Sequence, residues 1–178
     1  MRFLLLIIIS LHICLFGYSG DNILEDYKNK DYKKVCLESA SFYKNGGKNE
    51  KLLSIIGDAC SKVDYINPLG YMVRGLISTP EFRENGSYFA TLVLQKKLIY
   101  QFMNDRIDLK NLRLPRSEHV LSIVFENLVK NNYKEKNNVI TIVTGKREFK
   151  VWIDNKKKRV VHIDEYKNGN KIKMHGYL

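Results

Sequence analysis

Signatures of known chemistry are missing from this chain. Residues 20–178 hold no Gly-x-Ser-x-Gly elbow, no His-Glu-x-x-His pair, no glycine-rich phosphate loop and no Cys-x-x-Cys. The usual marks of a serine hydrolase, a zinc protease, a nucleotide phosphatase and a dithiol oxidoreductase are therefore all lacking. Ser117, Glu118 and His119 are adjacent, but consecutive residues on a helix diverge by about 100° and do not converge on one point. Ser117 reads instead as a helix N-cap and Glu118 as a first-turn acid. No catalytic residue, metal or cofactor is assigned, and the expectation is a protein that is not an enzyme. A hydrolase remains a third-ranked class with no motif of its own.

Acidic residues are also scarce, 19 against 30 Lys and Arg in 178 residues. The shortage is local. Residues 133–178 carry 12 basic and five acidic residues, a net of +7, whereas residues 21–132 carry 17 and 14. Cysteines number three, and after Phe16 no apolar run approaches the roughly 20 residues of a membrane span.

The one long apolar run is at the start. Arg2 is followed by fourteen residues, Phe3 to Phe16, in which only Ser10 and His12 are polar, and Gly17 and Ser19 stand at −3 and −1 of a cleavage site. This is the build of a cleavable secretory signal, residues 1–19. The mature chain is then expected in the periplasm, without an integral membrane segment. Export argues against nucleic acid as the partner of the basic tail. It favours another envelope protein or peptide, or an anionic envelope surface of lipid or cell-wall polymer.

Removing the signal takes Cys14 with it and leaves Cys36 and Cys60 in an oxidising compartment. Turn signals divide residues 20–132 into helices. One is expected over residues 31–43, stopped at Asn45-Gly46-Gly47, and Asn49 caps a second over residues 50–63. Asn67-Pro68 opens a third, reaching about Ile77, and Thr79-Pro80-Glu81 a short fourth that ends at Asn85-Gly86. Ser87 caps a long helix, Tyr88 to Met103, and the last runs from Ser117 to about Lys130. If the first two form a hairpin turning near residue 48, positions summing to about 96 lie opposite. Cys36 and Cys60 meet that condition, so they either form a disulfide or sit adjacent in the helix interface.

Asp31-Tyr32 recurs as Asp64-Tyr65, 33 residues later, and Ile56-Gly57 precedes the second copy with small residues between. Over about residues 22–78 this spacing resembles the tetratricopeptide repeat, in degenerate form. The resemblance implies stacked antiparallel helix pairs with a concave face for a protein or peptide. Tyr27, Tyr32, Lys34 and Tyr43 are the candidate groove residues. By analogy of fold it also brings small exported scaffolds of envelope machines into view, including those around flagellar motors.

After a polar linker, residues 131–138, the pattern changes to period two. Strands are expected over residues 139–144, 147–153, 159–167 and 170–178, with tight turns at Gly145-Lys146 and Asn168-Gly169. Those turns set a register that puts Ile140, Ile142, Phe149, Val151, Ile153 and Val161 on one face, together with Ile163, Ile172 and Met174. The other face then holds Trp152, Val160 and Tyr177, with His162 directly across from His175 and Asp164 across from Lys173. Trp152 and Tyr177 are candidate contact residues, and His162 and His175 a weak candidate metal pair lacking a third ligand. The expected protein is α+β: an N-terminal tetratricopeptide-like helical array over residues 20–132, then a basic four-stranded antiparallel meander over residues 133–178. Its expected role is an interaction or scaffold protein of the bacterial envelope; the alternative is a basic module docking on anionic lipid or cell wall.

Overall fold

A computed structural model of the chain describes residues 19–39, 42–43, 47–154 and 160–177. All of the expected signal over residues 1–19 but Ser19, all of the Asn45-Gly46-Gly47 stop but Gly47, and the strand ends at Arg159 and Leu178 lie outside the described residues. The described chain is α+β, six helices followed by one antiparallel sheet.

Side-chain caps decide where several helices begin. Ser19 starts α1 (Gly20–Lys28) through a capping box with Asn22. Asp31 caps α2 (Tyr32–Glu38), which ends at Ser39, and Phe42 and Tyr43 of the expected helix are again helical. Asn49 accepts the Leu52 N–H and opens α3 (Glu50–Lys62) as anticipated. The helix expected from Asn67-Pro68 is only one turn, α4 (Leu69–Met72), continued by a 3-10 turn at Val73–Gly75.

Two expected helices prove to be one. α5 (Pro80–Asp105) runs for 26 residues straight through Asn85-Gly86-Ser87. Its polar residues find partners without breaking the helix. Asn85 Nδ2 donates to Ser54 Oγ at 3.2 Å, Ser87 Oγ to the Arg83 carbonyl at 2.9 Å, and Gly86 is buried facing Leu76. Ser117 is likewise not the cap of α6 (Val120–Val129). His119 is, its Nδ1 accepting the Leu121 N–H at 3.2 Å.

The sheet has five strands rather than four, in the order β1-β2-β3-β4-β5. The segment read as a linker supplies β1 (Lys134–Lys136), paired with β2 (Val139–Thr144). β3 (Arg147–Asp154) meets β2 in the expected register, Ile142 opposite Phe149 and Ile140 opposite Val151. β4 (Val160–Lys167) and β5 (Asn170–Tyr177) do not. Tyr166 faces Lys171, but Glu165 faces Lys173, so Ile172 is an extra residue in a β-bulge. From there on, each side chain of β5 points opposite to expectation.

That single slip exchanges the two faces. Ile172 and Met174, expected inside, are 53% and 55% exposed. His175 and Tyr177, expected outside, are 5% and 2% exposed. His162 pairs with Gly176 and Asp164 with Met174, so the predicted His162–His175 and Asp164–Lys173 cross-strand pairs do not exist. Ile140, Ile142, Phe149, Val151, Val161 and Ile163 do turn inward, with Ile153 half-buried. They join Leu52, Ile56, Phe89, Leu92, Leu121 and Val124 in one continuous core, with α5 lying against β3. Each fully buried side chain of this kind contributes about 1.5–3 kcal/mol.

Candidate functional site

The Cys36–Cys60 disulfide joins α2 to α3 with the two Cα atoms 4.9 Å apart, and both residues are fully buried. Around this cross-linked pair the structure collects part of the expected groove set. Tyr27 and Tyr32 meet edge to face, ring centroids 5.4 Å apart. Lys62, at the end of α3, places its ammonium 5.5 Å from the first ring centroid and 5.0 Å from the second. The same ammonium pairs with Asp58 one turn earlier, and Asp58 accepts the Tyr27 hydroxyl. Burial and then the Asp58 hydrogen bond raise the Tyr27 pKa above its ordinary value. The result is a half-exposed patch of two aromatics, a cation and an acid.

Lys34 instead pairs with Asp26 at 3.0 Å. Tyr43 stacks on the exposed Tyr71, ring centroids 6.0 Å apart. Lys62, Asp58 and Tyr71 are the residues that sequence reasoning missed here. The four-residue spacing of Asp58 and Lys62 on one helix was the available signal.

A second cluster links the sheet to the helices. Asp64 follows α3 in a left-handed conformation, φ 63°, which aspartate tolerates better than most residues. Its carboxylate accepts from His175 Nδ1 at 2.9 and 3.0 Å, from the Tyr177 hydroxyl at 2.7 Å and from Lys173 Nζ at 3.0 Å. Burial acts to raise the Asp64 pKa. The hydrogen bonds from His175 and Tyr177, the charge interaction with His175 and the hydrogen bond from Lys173 outweigh it and hold the group at about 2. On its far side His175 Nε2 lies 3.4 Å from Glu165, whose other oxygen takes two contacts from Arg147 at 2.9 Å. His119 completes the corner, its Nε2 3.2 Å from the Ser61 carbonyl. Burial, chiefly, lowers the His119 pKa, which keeps the ring neutral and its Nδ1 free to cap α6.

No protein family, curated protein or solved structure matches this chain. Its site must be read from its own atoms.

Tyr177, proposed from the sequence as a contact residue, is a buried strut in this cluster, its pKa pushed well up by burial and then by Asp64. His162 and His175 cannot share a metal, since they lie on opposite faces of the sheet. Among the described residues no group of three or more His, Cys, Asp or Glu is placed to hold a metal ion. Nor is any described helix long and apolar enough to cross a membrane.

Trp152 does stand on the outer face of the sheet. It stacks on His162 with ring centroids 4.2 Å apart, and its Nε1 donates to Asp164 at 3.3 Å. Lys171 pairs with Asp164 at 2.7 Å, and Lys150 covers the Tyr166 ring at 4.7 Å.

Proposed function

We propose that this protein is an exported, non-enzymatic interaction protein of the bacterial envelope, in which the disulfide-braced helices present a contact surface to a partner protein or peptide. One observation carries this reading. Tyr32 and Lys62, on two helices that a buried disulfide holds together, form an accessible aromatic and cationic patch with Tyr27 of α1. Aromatic residues supply contact area at low entropic cost, and rigid display lowers the cost of binding further. The disulfide suits a compartment that keeps cysteines oxidised. The tetratricopeptide-like reading of α2 and α3 rests on the sequence resemblance, and the scaffold role in a larger periplasmic assembly rests on it in turn.

The test is capture by cross-linking from an envelope fraction, using residues 20–178 and a Tyr27→Ala/Tyr32→Ala/Lys62→Glu variant. The expected result is a partner retained by the wild type at 0.3 M salt and lost by the variant. Equal retention by both removes the support for this patch.

The outer sheet face favours a second reading, docking on an anionic surface. Ile172 and Met174 are exposed beside Lys171, and Met174 lies opposite Asp164, which Trp152 reaches, within the segment of net +7. Binding to phosphatidylglycerol vesicles that disappears between 0.05 and 0.5 M salt, and in an Ile172→Asp/Met174→Asp variant, is the expected signature.

A further inference from the structure

The extended segment after α5 leaves a trough against α6. It is half-open, with a volume of about 470 Å³, within the range of small-molecule sites. Leu112 and Leu114 form one wall, and Phe125 and Val129 of α6 form the other. The α6 residues that face it, Ser122, Phe125, Glu126, Val129 and Lys130, follow the three- and four-residue spacing of one helix stripe.

Polar side chains at the base are already satisfied. Ser122 Oγ donates to Gln95 Oε1 at 2.8 Å and lies 2.7 Å from Ser117 Oγ, while Gln95 Nε2 reaches the Pro115 carbonyl at 3.4 Å. Gln95 and Ser122 are both buried. A ligand in the trough therefore gains by burying hydrocarbon, at roughly 25 cal/mol per Å², rather than by bonding to these side chains.

The rim is different. Glu126 is held from both sides, by Arg116 Nε at 2.8 Å and Lys130 Nζ at 2.5 Å. Arg113 also lines the trough and has no ion-pair partner among the described residues. A guanidinium offers a planar fork that matches one carboxylate. The rim is not a uniformly cationic surface, because Glu126 stands at its middle, so it suits one small anion better than an anionic bilayer.

We propose that this trough binds a free, single-chain aliphatic carboxylate, the chain lying on Leu112, Leu114, Phe125 and Val129 and the head group on Arg113. The site is separate from the Tyr27–Tyr32–Lys62 patch, and its test does not depend on that reading. Sodium laurate below its micelle concentration, titrated calorimetrically into residues 20–178, is the probe; dodecanol and butyrate are the uncharged and short-chain controls. Saturable one-to-one laurate binding is expected, with both controls at least tenfold weaker. Arg113→Glu, an exposed change, should weaken laurate at least tenfold, and Val129→Asp should abolish it, with melting curves reporting that each variant folds. Absence of saturable binding overturns the proposal. So does laurate binding unchanged in either folded variant, equal affinity for dodecanol, or displacement of laurate by phosphatidylglycerol vesicles.

Discussion

Asp64 collects three donors from β5, and its depressed pKa makes it a sensor of acid denaturation. A carboxylate held at about 2 in the fold and near 3.8 in the unfolded chain stabilises the native state above pH 4. That stability is lost as pH falls through the folded value. Allowing for solvent screening of a partly accessible group, the expected loss is about 1–2 kcal/mol between pH 4 and 2. Asp64→Asn keeps the left-handed backbone and should flatten the urea midpoint across that window. A variant with the wild-type slope would mean that another carboxylate carries the effect. At Gly57 the limit is steric. A Cβ there would stand 2.2 Å from the Phe89 ring, so Gly57→Ala should cost about 1–3 kcal/mol in chemical denaturation despite the better helix propensity of alanine. Gly57 was picked from the sequence for its place in a repeat-like pattern. The structure gives it a separate reason to be small, the approach of α3 to α5.

Among the elements, what was legible depended on how local its cause was. Asn49, Thr79 with Pro80, and the Gly145-Lys146 turn each act within four residues, and α3, the start of α5 and the β2–β3 register follow from them. Asn85-Gly86-Ser87 also looks local, a stop followed by a cap. Ser54 and Leu76, which are distant in sequence, decide otherwise. β1 was missed because three exposed residues, Lys134 to Lys136, carry no period-two signal. The bulge at Ile172 was the costliest omission. Nothing in Lys171-Ile172-Lys173-Met174 announces an extra residue, and regular alternation puts the two apolar side chains inside. The fold instead spends those inward positions on Lys173, His175 and Tyr177, all of which reach Asp64.

This register makes an unusual prediction about deletions. Removing Ile172 brings Lys173 next to Lys171 and leaves Glu165–Lys173, Ile163–His175 and Val161–Tyr177 paired as they are. The variant should fold with its Asp64 contacts intact and lose less than about 1 kcal/mol in urea. Removing Met174 instead turns His175 and Tyr177 outward, and should cost about 3 kcal/mol or more through the stranded Asp64 carboxylate. Equal stabilities for the two deletions would contradict the bulge.

Across the whole molecule, two long-range ties span separate parts of the chain. The disulfide closes a loop between residues 24 apart and should be worth about 3 kcal/mol on the loop-entropy account. A Cys36→Ser/Cys60→Ser variant should show that loss, and the wild type should show a similar one on reduction. If reduction leaves the urea midpoint unchanged, the bond is not a structural tie. The charge asymmetry, by contrast, was fully readable from the sequence, because it needs no knowledge of contacts. The Asp64 cluster was not readable, because its members come from the turn after α3, from β4 and from β5.

Asp64 meets His175 and Tyr177 across 111 and 113 positions of chain. Synthesis proceeds from the amino end, so Asp64 goes without these partners until β5 has been made. Until then β2, β3 and β4 can cover the helices with Ile140, Phe149, Val151 and Ile163, but the core lacks Tyr177. β5, the last strand of the sheet in chain order, is the latch of this corner.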